Sequence, residues 1–161
     1  MSYIEKFQNR QLTQNDLNNN QITNIILNSN ISIIDVINLI VKLSGKTHTY
    51  IYTNMEISKS TWENCRKKDN AKKLSFWETI RFSIVLNLNI QNTNQLLERF
   101  HYSINPTDYV CDYYLFQVLN ISHFNDIELV ERLEIIETIK DNFYKTPEHF
   151  ISSIKKYIEN E

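Results

Sequence analysis

Apolar residues recur at intervals of three and four along most of the chain, and that spacing predicts helices rather than strands. Ile33, Val36, Ile37, Ile40 and Val41 share one helical face, with Ser32 and Asp35 spaced as a capping start and Gly45 as the stop. Ser58 or Ser60 predicts the cap of a helix reaching about residue 69. Ser75 with Glu78 predicts another over 76–88, carrying Ile80, Ile84, Val85 and Leu88. A shorter helix is expected over 93–100. After Asn105-Pro106-Thr107, the positions of Val110, Tyr113, Tyr114 and Val118 predict a helix over 108–119. Asn125 and Asp126 then open a long amphipathic helix with Ile127, Val130, Leu133, Ile136 and Ile139 or Lys140 on successive turns. Thr146-Pro147-Glu148 reads as a cap, a first-position proline and a first-turn acid, starting the last helix.

Two stretches are less regular. Over 2–30, an apolar start (Tyr3, Ile4, Phe7) is followed by an Asn-rich run (Asn15, Asn18 to Asn20), so two short helices joined by a mobile linker are expected, the second over 22–27. Residues 47–55 are rich in aromatic and β-branched side chains, which taken alone fit a strand.

Composition strengthens the helical reading, because a chain with one Gly and two Pro lacks the residues that a meander of tight turns needs. The expected class is therefore all-α, with an N-terminal extension over 1–30, a central module over 31–104 and a C-terminal helical part over 105–161. The longest apolar region, 31–43, is interrupted by Ser32, Asp35, Asn38 and Lys42, so no membrane span is expected. Glu5 and Lys6 with no apolar run make no signal peptide, which points to the cytoplasm.

Catalytic chemistry finds no foothold. Cys65 and Cys111 have no Cys or His at metal spacing, and the four histidines (His48, His101, His123, His149) are scattered, so neither a metal site nor a cofactor is expected. No glycine-rich phosphate loop fits a chain with one glycine, and an enzyme is not expected. Tyr109, Tyr113 and Tyr114 read as a core cluster.

Charge is unevenly distributed. The net charge is −2, yet residues 1–105 sum to +4 and residues 106–161 to −6. Within 59–73, six cations (Lys59, Arg66, Lys67, Lys68, Lys72, Lys73) meet only Glu63 and Asp69. That run lies within a unit over 50–88 read as a short helix, a turn (Met55, Glu56, Ile57), a Ser-capped helix over 58–65, a polar loop and a longer apolar helix. This is the element order of a helix-turn-helix. Trp62 and Cys65 lie three apart on one face and are expected to pack inward. Lys59, Ser60, Glu63 and Asn64 would then face base edges, while Ser58, Arg66, Lys67, Lys68, Lys72 and Lys73 would meet phosphates.

The run Ile57-Ser58-Lys59-Ser60-Thr61-Trp62, with Leu74-Ser75 and Glu78-Thr79-Ile80 downstream, resembles the lambda-repressor-like (XRE-type) helix-turn-helix proteins. More narrowly it is similar to a version found in AT-rich Firmicutes and their phages, marked by a Leu-x-Leu, a Leu-Leu, a Gly-Tyr and a downstream Asp. Here these read Leu86 and Leu88, Leu96-Leu97, His101-Tyr102 and Asp112. The resemblance spans about residues 32–120. It departs at the turn glycine, whose place falls near Asn54 to Glu56, and at His101, where Gly is usual; Asn and His tolerate a left-handed backbone better than most residues. The resemblance implies a regulator that binds double-stranded DNA. The alternative is an inhibitor with a protein partner, an antitoxin or a phage counter-defence (anti-CRISPR-like) protein, on the same scaffold. The acidic helix near 126–141 would either pack on the domain or form a homodimer seam.

Overall fold

The computed structural model describes residues 14–67, 73–105, 110–120 and 124–141. These form α1 (Gln14–Leu27), α2 (Ile33–Ser44), α3 (His48–Met55), α4 (Lys59–Cys65), α5 (Phe76–Val85), α6 (Ile90–Arg99), α7 (Val110–Leu119), a single 3-10 turn (Phe124–Asp126) and α8 (Leu129–Asp141). The class is all-α, with no strand among the described residues. The expected first short helix and the start at Thr146 lie outside them.

Local capping chemistry sets most of the helix starts. Ser32, Thr47, Ser58, Ser75 and Asn89 each accept the backbone N–H three residues on, satisfying a donor the first turn leaves orphaned. Ser75 and Glu78 form the full reciprocal capping box. Thr47 thus decides the ambiguous stretch in favour of a helix, and Ser58, not Ser60, caps α4.

The helix stops explain how a chain manages with one glycine. Gly45 ends α2 at φ 71°. Three other helices end with Glu56 (φ 58°), Asn87 (φ 59°) and His101 (φ 66°) in the left-handed region. In each, the N–H of the following residue reaches five residues back, Ile57 to Tyr52, Leu88 to Ser83 and Tyr102 to Leu97. This is the Schellman closure, made here without glycine. Two helices are shorter than expected. The one over 76–88 stops at Val85, and the one to residue 69 stops at Cys65, where Arg66 closes the last turn.

At the N-terminal end, the Asn-rich run corrects the expected linker, because Asn15 and Asn18 to Asn20 lie inside the continuous helix α1. Fully buried Asn92 on α6 explains it: its amide accepts from Thr23 Oγ1 (2.7 Å) and donates to the Asn19 carbonyl (3.3 Å). Arg99 adds to this brace by donating to the carbonyls of Ile26, Asn28 and Ile31, which closes the end of α1 and the loop after it.

Helix α5 is the spine of the molecule. Every residue from Thr79 to Val85 is buried, as befits a helix enclosed on all sides. On one side Phe82 and Val85 join a core drawn from α1 to α4 and α6 (Ile26, Ile40, Ile51, Met55, Trp62, Leu96). On the other, Ile80 and Ile84 join Leu97, Leu115, Val118, Ile135, Ile136 and Ile139. Asp112 is buried at the start of α7 and accepts the Asn105 N–H at 2.8 Å.

Two expectations fail in this half. Val130 is exposed, because α8 turns Arg132, Ile135, Ile136 and Ile139 inward; the apolar face offered for a dimer seam is largely used within the chain. Tyr113 is exposed rather than core, with its hydroxyl accepting from Gln117.

Candidate nucleic-acid interface

Helix α4 hangs from the turn at Glu56 with its apolar side set into the core. Trp62 and Cys65 are both buried. The Trp62 ring stacks on Phe82, with centroids 6.0 Å apart and planes at 30°. Its indole N–H donates to His48 Nδ1 at 3.2 Å, so α3 and α4 are joined by a polar contact as well as by packing. Lys59, Ser60 and Glu63 are exposed and Asn64 is half-buried, so these four side chains lie on the side away from the core.

The cations expected at phosphates divide into groups. Arg66 folds back: its Nε donates to Asn38 Oδ1 on α2 at 2.9 Å, and its guanidinium lies 5.6 Å from the Trp62 ring centroid. Burial lowers its pKa, partly countered by Glu63. Lys73 donates to the Phe100 carbonyl at 2.7 Å and sits 4.8 Å from the Tyr102 ring centroid, closing the end of α6. Ser58 holds the start of α4 and donates its own proton to Thr61 Oγ1. Lys67 is exposed. Lys68 and Lys72 lie outside the described residues. Lys59 Nζ stands 4.0 Å from Glu63 Oε1, with the two side chains 71% and 49% exposed, a pair that contributes little to stability but moderates the local field.

Sequence reasoning also passed over polar residues around and beyond this site. Lys46, Thr47 and Thr49 are exposed around the start of α3, beside the edge of α4 that His48 and Trp62 define. Arg81 lies beneath the turn, donating to Glu137 at 2.8 Å and pairing with Glu56 at 3.1 Å. Arg132 is buried against α5. A cation inside an otherwise apolar face is the sequence signal for the last two. No signal marks His48, whose partner is 14 residues away.

His48 gives the site a pH dependence. Its pKa is lowered from 6.5, first by burial and then by the Arg66 guanidinium, and protonation would also remove the acceptor that Trp62 uses. As pH falls below about 6.5 the unfolded chain takes up the proton first, so folding stability falls with pH in that window. Thermal unfolding from about pH 7.5 to about pH 5.5 is expected to show a decline in Tm that is smaller in His48→Gln, which cannot titrate. An unchanged profile in the variant would exclude His48 as its source.

Among the described residues, no three His, Cys, Asp or Glu side chains come together as a metal site, and no helix is long and apolar enough to cross a membrane. Comparison with protein-family models, curated proteins and solved structures gave no match to this chain.

Proposed function

We propose that the chain binds duplex DNA through α4, with α3 and α4 acting as a helix-turn-helix and Lys59, Ser60, Glu63 and Asn64 facing base edges. The observation that carries this reading is the polarity of α4. Trp62 and Cys65 anchor one side while an uninterrupted polar side faces away from the core at the end of a tight turn. Asn64 suits adenine edges and Lys59 suits guanine, whereas Glu63 would accept from a cytosine amine.

The phosphate-binding set is smaller than the basic run implies, because Arg66 and Lys73 already hold intramolecular partners. Lys67, with Lys68 and Lys72, remains. Three phosphate contacts correspond to a slope of log K against log salt of about −2.7, at roughly −0.9 per contact. Fluorescence anisotropy with a random duplex across a salt series is therefore expected to give that shallow slope. Lys67→Ala should make it shallower by about 0.9 and Lys73→Ala should leave it unchanged. Absence of binding at low salt, or a slope insensitive to Lys67, defeats the reading.

The diversion of Arg66 and Lys73 and the proximity of Glu63 to Lys59 favour one second reading, an inhibitor that uses this face on a protein. A stoichiometric protein partner retained after nuclease treatment, and lost on Glu63→Arg, would replace the first reading with this one.

A further inference from the structure

A cleft of about 360 Å³ opens where α1, the end of α2, α3, the end of α5 and the start of α8 meet. Its volume lies in the range of small-molecule sites. Its floor is apolar, with Ile22 and Ile40 among the side chains. Its polar lining includes Arg132, Lys46, Tyr50, Ser44, Asn87 and Asn125. Among the described residues, no Asp or Glu lines this cleft.

Arg132 is built into the wall. It is more than nine-tenths buried. Its Nε donates to the Ile127 carbonyl (3.0 Å), its Nη1 donates to Asn87 Oδ1 (3.0 Å), and its guanidinium lies 5.9 Å from the Phe124 ring centroid. These contacts fix the plane of the fork and use two of its five N–H donors. Nη2 has no hydrogen-bond partner among the described residues, so the free end of the fork keeps donors in a geometry that matches an oxyanion bidentately. Burial lowers the Arg132 pKa and nearby Tyr50 partly restores it, yet a guanidinium stays cationic. Lys46 supplies a second cation at the lip, its Nζ 4.9 Å from the Tyr50 ring centroid.

We infer that this cleft binds a small phosphate monoester, the phosphate held by the Arg132 fork and Lys46 and the organic part lying on the apolar floor. Two cations, with no acid among the described lining residues, suit a dianion, which a phosphate monoester is at neutral pH. The ligand would bridge the α2–α3 corner to α8 and so tie α8 to the helices that carry α4. This inference stands apart from what α4 binds, and its test does not involve nucleic acid.

The probe is inorganic phosphate, titrated by calorimetry and by thermal shift on the full chain at constant ionic strength. Binding is expected to saturate, and Tm at about 100 times Kd should rise by roughly 5–10 °C. Lys46→Ala, at an exposed position that the fold does not need, should weaken phosphate about tenfold or more, and Arg132→Lys, which keeps the charge but loses the fork, should do the same. Lys140→Ala, outside the cleft, should bind as the unaltered chain does. Phosphate also stabilises proteins by exclusion from their surface, an effect that neither saturates nor responds to Lys46. A shift of that kind, an unchanged affinity in Lys46→Ala, or acetate binding as tightly as phosphate would overturn the inference.

Discussion

Trp62→Ala is expected to lower the unfolding free energy by about 3–5 kcal/mol and Tm by roughly 6–20 °C. The indole is 1% exposed and packs between α3 and α5, against Phe82 on one side and His48 on the other. Truncation therefore leaves a cavity between rigid helices and removes the attachment of α4, whose seven residues are too few to persist as a helix on their own. Trp62→Phe separates the contributions. It keeps most of the buried area but loses the bond from Nε1 to His48, so a loss nearer about 1 kcal/mol is expected. Urea or thermal unfolding of the two variants would measure both. A Trp62→Ala chain as stable as the original would mean that α4 is not seated as described, and the outward placement of Lys59, Ser60, Glu63 and Asn64 would go with it.

What was legible in the sequence was what depends on neighbours a few residues apart. Ser32 with Asp35, Ser58 before Trp62 and Ser75 with Glu78 announce helix starts because the capping bond spans three residues. The burial of Trp62 and Cys65 was legible for the same reason, since helical spacing places them on one face. The Asn-rich run was misread because its partner is Asn92, 73 positions beyond Asn19; a tertiary hydrogen bond overrides weak local propensity. Val130 was expected on the inner face of α8 because periodicity alone does not reveal that Arg132, with two polar partners, takes a place on that face.

The candidate site was legible only as a surface. Spacing predicts that Lys59, Ser60, Glu63 and Asn64 share the outer side of one helix, and they do. It carries no information on where a long cationic side chain finds its partner. Arg66 meets Asn38 across 28 residues and Lys73 meets the Phe100 carbonyl across 27. The left-handed residue of the α3–α4 turn was also placed only approximately: it falls at Glu56, one of the three positions 54–56 where it was expected.

Glu56 leads to the second large effect, which concerns the ion triad under that turn. The Arg81 side chain is 9% exposed and lies between Glu56 (72%) and Glu137 (38%), with its Nε buried and without a partner among the described residues. The three charges are unequally hydrated, so removing the carboxylates and removing the cation should not be equivalent. Removing both carboxylates, as in Glu56→Ala with Glu137→Ala, strands a buried cation and is expected to cost about 3–5 kcal/mol. Removing the cation, as in Arg81→Met, instead leaves two carboxylates that water already reaches and fills the space with an unbranched apolar chain. That change is expected to lie within about 1 kcal/mol of the original, or to stabilise. Denaturant unfolding of both variants checks the asymmetry, and equal losses would mean that Arg81 is hydrated in solution. If Arg81→Met proves neutral while the Glu56 pair is gone, the left-handed turn at Glu56 is held by its own backbone bonds, from Glu56 to Thr53 and from Ile57 to Tyr52, and not by the charge beneath it.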